Sequence, residues 1–187
     1  RPLSALLISG YGGYRMACFE GTIFSSSLGM IASLRVSLPD RYLCGEKREP
    51  LPVLYLLHGL SDNHSQWGRR TSVERYAEDA GIAVVMPEAQ RSFYTDMVYG
   101  LRYFTYVAEE LPVLCRRLFP LSERREDTFI AGNSMGGYGA LKAGLRFPER
   151  FGAAASFSGA VDVRARYDAH REEFQAVYNG QINPEDD

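Results

Sequence analysis

The hydrophobic pattern changes its period along the chain, and each change marks an element. From Gly21 to Leu38, "GTIFSSSLGMIASLRVSL" alternates apolar and small polar residues about Leu28-Gly29. That alternation predicts two antiparallel strands joined by a tight turn. After a polar loop, "PDRYLCGEKREP", the stretch "LPVLYLLHG" is an apolar run opened by Pro52 and closed by Gly59, the pattern of a strand buried on both faces. Residues 71–80 predict a helix, and "GIAVVMPE" the next buried strand. The segment "YGLRYFTYVAEELPVLCRRLFP" has helical apolar spacing, with Glu109 and Glu110 ahead of Arg116 and Arg117 and a stop at Pro120. Pro112 inside it predicts a kink or a later start. "DTFIAG" reads as a strand, "MGGYGALKAGLRF" as a helix halted before Pro148, and "FGAAASFSG" as a further strand. The tail "VYNGQINPEDD" is polar and predicts no element. Strands and helices in alternation, with the strands buried, predict an α/β protein with a mostly parallel sheet flanked by helices.

Composition mainly removes possibilities. A chain of 187 residues with 45% hydrophobic content suits a single domain with its own core, and no repeat or linker divides residues 16–187. The formal net charge of -2 offers no basic surplus for nucleic acid or acidic membranes. No apolar run approaches the roughly 20 residues of a membrane span. The opening "RPLSALLISGYGGYR" has a short apolar part and no A-x-A cleavage signal, and Met16 follows it as a natural start. Residues 1–15 therefore read as an upstream extension, and the location as cytoplasmic. Cys18, Cys44 and Cys115 form neither a CxxC nor a Cys/His set for a disulfide framework or a zinc site. They read as buried free thiols of a reducing compartment.

The chemistry concentrates in "FIAGNSMGGYGALKAG", which sets Ser134 between Gly132 and Gly136. G-x-S-x-G has a mechanical meaning between a strand and a helix, where the serine occupies a sharp, strained turn that exposes its hydroxyl. Both elements are predicted here. The helix that follows directs its N-terminal amides and positive dipole end at the site, so the Met135 N–H is a candidate oxyanion donor. No G-x-x-x-x-G-K-[ST] phosphate loop is present, and "GNSMGGYG" does not match the dinucleotide fingerprint in register. Ser134 as nucleophile is the favoured reading over a purely structural turn. A second donor, the Leu60 N–H, is expected from "LLHGLSDNHSQW", where Gly59 lets the chain turn toward the same oxygen. The plainer alternative is that His58-Gly59 only ends a strand.

Taken together, "HGLSDNHSQW", "VVMPE", "YTDMVYG", "AEELP", "TFIAGNSMGGYGALK" and "FSGAVD", in that order and spacing, resemble the esterase D group of α/β-hydrolases. That group includes S-formylglutathione hydrolases and small bacterial tributyrin esterases. The resemblance spans about residues 20 to 165 and implies a serine carboxylesterase acting on short-chain acyl esters or thioesters through an acyl-enzyme. It implies Ser134 as nucleophile and Leu60 and Met135 as oxyanion donors, with Gly59, Trp67 and Tyr94 near the pocket. The mechanism requires no metal or cofactor. It also implies two more strands after Phe157, carrying the catalytic aspartate and histidine beyond residue 187.

Within the chain, Asp162 or Asp168 with His170 has the right order after Ser134, but His170 lies in the charged run "DVRARYDAHREEF" and reads as solvated. His58 reads as packing behind the oxyanion loop and His64 as an exposed loop residue. Lacking further strands, the apolar "AAASFS" would form an open sheet edge, to be covered by a partner or a second copy. The alternative function is therefore an idle hydrolase-like module that binds a partner through that edge.

Overall fold

The computed structural model describes residues 16–40, 42 and 49–186. The segment 1–15 read as an extension, and Cys44, lie outside the described residues. Six strands form one sheet in the order β1-β2-β4-β3-β5-β6. The alternating segment is a hairpin of β1 (Met16–Ser25) and β2 (Met30–Pro39), in a register that sets Met16 opposite Pro39 and Ser25 opposite Met30. Gly29 turns the chain with φ of 64°, a value glycine adopts without steric cost. Glu110 holds this turn from another element. Its carboxylate accepts the Ser26 and Ser27 N–H groups at 2.7 and 3.0 Å and the Ser25 hydroxyl at 2.6 Å.

β2 runs antiparallel to β4 (Ala83–Pro87), while β4, β3 (Val53–Leu57), β5 (Thr128–Asn133) and β6 (Ala153–Phe157) are mutually parallel. The unbroken apolar runs have a direct cause. Val53, Tyr55 and Leu57 face the main core, whereas Leu56 faces the second core and Leu54 packs against it, alongside Trp67, Val73 and Ala77. With both faces covered, neither set of alternate positions can be polar.

Helices α1 (Gln66–Arg70) and α2 (Val73–Ala80) follow β3. The first was not foreseen. Its leading loop is stitched by Asn63, whose side-chain oxygen accepts the Ser65 N–H at 3.0 Å and the Ser65 hydroxyl at 2.7 Å. The long segment before β5 is α3 (Tyr103–Thr105), a π turn (Tyr106–Glu110) and α4 (Leu111–Leu118) in direct succession. Pro112 thus stands in the first turn of α4, the later start that the sequence allowed, while the helical path before it continues as a π turn. A proline lacks the N–H that would reach back along the helix, and its ring crowds the carbonyl four residues earlier. The π turn absorbs both problems by widening just before it, and the freed Ala108 carbonyl accepts Arg150 Nη1 at 3.3 Å.

Helix α5 (Met135–Arg146) joins β5 to β6, and α6 (Arg171–Tyr178) packs back on the main core. The tail is more structured than its polarity suggested. Val177 and Tyr178 are buried, a 3-10 turn forms at Pro184–Asp186, and the Asp186 carboxylate lies 2.6 Å from the Lys142 ammonium. The cysteine reading holds for Cys115, which is buried and whose thiol is pushed up to about 12 by that burial. It fails for Cys18, which is exposed because β1 is an edge strand with a solvent-facing side. At the opposite edge, Ala153, Ala154 and Ala155 are exposed and Phe157 is 54% exposed, as expected for an open β6.

Candidate active site

β5 ends at Asn133 and α5 begins at Met135, so a single residue makes the turn. Ser134 does so with φ 52° and ψ -118°. Such a backbone costs a non-glycine residue on the order of 1–3 kcal/mol and persists only where its surroundings impose it. Three backbone hydrogen bonds supply that constraint. The Ser134 N–H donates to Phe157 O at 2.9 Å, and the Ser134 carbonyl accepts the N–H groups of Tyr138 and Ala160, both at 3.1 Å.

Close packing beneath the turn does the rest. A Cβ added at Gly132 would stand 2.4 Å from the Gly136 carbonyl, and one at Gly136 would stand 2.4 Å from Leu57 O. Backbone meets backbone there, with no side chain able to yield. Gly132, Met135 and Gly136 are buried while Ser134 is exposed, so the turn presents one hydroxyl above a closed floor.

The loop after β3 reaches the same point. A Cβ at Gly59 would lie 2.7 Å from Asn133 Oδ1 and 3.7 Å from Ser134 Cβ, so this loop passes close beside the serine. Helix α1 fixes it. Gln66 Oε1 accepts the Gly59 N–H at 3.1 Å, and Trp67 Nε1–H donates to Leu57 O at 3.1 Å. The Leu60 and Met135 N–H groups find no acceptor among the described residues. Trp67 is half-buried, its ring edge-on to Phe157 at 6.2 Å. Tyr94 lies beneath rather than at an open surface. It is 1% exposed, its hydroxyl donates to His58 O at 3.0 Å, and its ring fills the space left by Gly139.

The three histidines are engaged elsewhere. His58 is buried, with Nδ1 2.8 Å from Gly59 O and Nε2 accepting the Ala89 N–H at 3.0 Å. The ring packs behind the Gly59 loop as the sequence suggested, with Nε2 also 3.4 Å from Glu88 Oε1. His64 is not an exposed loop residue. Its two ring nitrogens lie 3.2 Å from Glu88 and 3.3 Å from Glu20, because the loop folds back over the sheet. Nor is His170 simply solvated: its ring is half-buried against Phe93 and Phe174, with centroids at 6.0 and 5.8 Å. Asp162 accepts the Ala165 N–H at 2.8 Å and Asp168 pairs with Arg171 at 3.0 Å. No side chain among the described residues is hydrogen-bonded to the Ser134 hydroxyl.

Glu88 braces the underside of this loop. Burial would raise its carboxyl, but contacts with the His58 ring, the Gln90 N–H at 2.9 Å and His64 outweigh it and hold the group at about 2. A carboxyl lowered on folding from an ordinary 4.5 stabilises the fold fully above pH 4.5, and loses that contribution as pH falls toward 2. Allowing for its partial exposure, the contribution is about 2 kcal/mol. Urea midpoints should therefore place Glu88→Gln below the parent at pH 7 and level with it near pH 2. A constant gap across that range would contradict the assignment.

Similarity to known proteins agrees with this geometry. The chain is 34% identical over 147 residues to an acetyl esterase of Caldicellulosiruptor saccharolyticus, covering 78% of this chain and 55% of that protein. Among solved structures, it matches the substrate-bound fluorophosphonate-binding serine hydrolase F of Staphylococcus aureus with a TM-score of 0.76 and 37% identity, over 82% of this chain and 61% of that one. It matches an S-formylglutathione hydrolase from the same organism with a TM-score of 0.74 and 38% identity, over the same shares. The chain thus spans a little over half the length of these relatives. Its sheet order, its helices and these neighbours make the fold that of an α/β-hydrolase. The model of the family described as "Putative esterase" matches residues 25–184, and the chain belongs to that family.

Proposed function

We propose that the protein is a serine carboxylesterase that cleaves short-chain acyl esters or thioesters through an acyl-enzyme on Ser134. The strained, exposed Ser134 backbone carries this reading, because a turn that served folding alone would gain nothing from φ of 52° at a serine. The hydroxyl oxygen attacks the carbonyl carbon, and the Leu60 and Met135 amides hold the oxyanion that develops. The leaving alcohol or thiol departs, and water then releases the acid from the serine. His58, His64 and His170 are all committed to other contacts, so the proton relay, a histidine oriented by a carboxylate, is assigned to chain beyond residue 187. Small-acyl chemistry is supported by the acetyl esterase and S-formylglutathione hydrolase relatives.

No helix among the described residues is long and apolar enough to cross a membrane, and a cytoplasmic location is part of this proposal. The idle-module reading draws on the exposed β6 and on the lack of a histidine-carboxylate pair at Ser134 among the described residues, and it leaves the Ser134 geometry without a purpose. Hydrolysis of p-nitrophenyl butyrate by the full-length gene product tests the choice. Ser134→Ala should lower kcat by roughly 1,000-fold or more, the remainder reflecting binding and the oxyanion amides. Equal rates for the two proteins would overturn the proposal.

A further inference from the structure

A second concave site lies at the other end of the sheet. Ser134 follows the C-terminal end of β5, whereas Thr128 at its first residue lines a cavity of about 400 Å³, within the usual range for small-ligand pockets. A six-residue strand separates the two places by roughly 20 Å. The walls are of two kinds. Pro112, Val113 and Phe151 supply apolar surface, while Arg116, Arg150 and Glu109 supply charge.

The two arginines are unequal. Arg150 lies 3.5 Å from Glu109, donates to the Ala108 carbonyl that the π turn releases, and stacks 4.1 Å over the Phe147 ring. Arg116 has only neutral acceptors among the described residues, Ser122 O at 3.1 Å and Thr128 Oγ1 at 3.2 Å. Its guanidinium is half-buried, fixed in direction by those two bonds, and without a carboxylate. A half-buried cation without a carboxylate partner favours an anion, and a planar guanidinium favours a carboxylate. Arg150 is paired with both Glu109 and Glu149 at 3.5 Å, so Arg116 is the lining cation that has no carboxylate partner among the described residues.

We propose that this cavity binds a small carboxylate with an apolar body, the carboxylate on Arg116 and the body against Pro112, Val113 and Phe151. It is a site distinct from Ser134. Ester hydrolysis releases molecules of this class, and to the extent that the ligand is the enzyme's own product acid, the proposal rests on the esterase reading. Binding itself does not.

Isothermal titration with benzoate and, separately, with the neutral benzamide tests the site on the full-length product. The expected result is saturable benzoate binding, at least tenfold weaker for benzamide and at least tenfold weaker in Arg116→Met. Because Arg116 also ties Ser122 to Thr128, a second variant guards against loss of fold. Val113→Asp places a negative charge on an exposed rim position and should also weaken benzoate at least tenfold. Ser134→Ala should leave benzoate binding unchanged while abolishing esterase activity. Equal affinity for benzamide, undiminished binding in Val113→Asp, or loss of binding in Ser134→Ala alone would each overturn the proposal. The last would mean that benzoate sits at the catalytic serine.

Discussion

Gly136→Ala is expected to destabilise the protein by about 3 kcal/mol and to eliminate reaction at Ser134, although it adds one methyl group. The added Cβ would stand 2.4 Å from Leu57 O and 2.7 Å from His58 O. Both are backbone atoms of β3 and of the loop that carries the Leu60 N–H, the proposed second oxyanion donor. Relief requires α5 to move off β3, which shifts Ser134 and the Met135 N–H away from the Gly59 loop and releases the constraint on the serine's backbone. Alanine for glycine at an exposed helical position would ordinarily stabilise a helix. Thermal denaturation together with the p-nitrophenyl butyrate assay checks the claim. A variant that melts with the parent and keeps its activity would show that the strand-turn-helix packing is looser than described.

Asp186→Asn is expected to cost about 3 kcal/mol, as breaking a buried ion pair does when one charge is left behind. The Lys142 ammonium is buried among Thr95, Phe104 and Tyr138, donates to Thr95 Oγ1 at 2.9 Å and meets Asp186 at 2.6 Å. Burial pushes this ammonium's pKa below its ordinary value even with the aspartate beside it. The Tyr138 hydroxyl donates to the Asp186 carbonyl at 2.6 Å, so the same residue is gripped by side chain and backbone. The double variant Lys142→Met/Asp186→Asn should recover much of the loss, since no buried cation then remains unpaired, while Arg146, which also meets Asp186 at 3.4 Å, keeps contact with solvent. Additive losses in denaturant unfolding would instead mean that the two groups act independently.

The order of elements was legible because this fold buries its central strands on both faces, which writes "LPVLYLLHG", "GIAVVMPE" and "DTFIAG" as apolar runs with clear ends. The serine turn was legible for a related reason: Gly132 and Gly136 are demanded by backbone contacts that no other residue permits. What escaped was set by partners distant in sequence. Glu110 read as one charge on a helix face, yet it closes the Ser25–Leu28 turn 85 residues away. Gln66 and Trp67 gave little sign that they pin the Gly59 loop. Pro112 signalled a kink or a later start, and the π turn that accommodates it leaves no local mark. Asp186 looked like part of a polar tail because nothing near it reveals that Lys142, on α5, lies buried beneath it. Tyr94 was placed near the pocket by resemblance, and its burial follows from the missing side chain at Gly139.

The central claim is that Ser134 is a nucleophile held ready by its backbone. It is tested most directly by the intact mass of the full-length gene product after exposure to a fluorophosphonate probe. A single adduct that disappears in Ser134→Ala is the predicted result. An adduct that survives Ser134→Ala, or none in the parent protein, would contradict it.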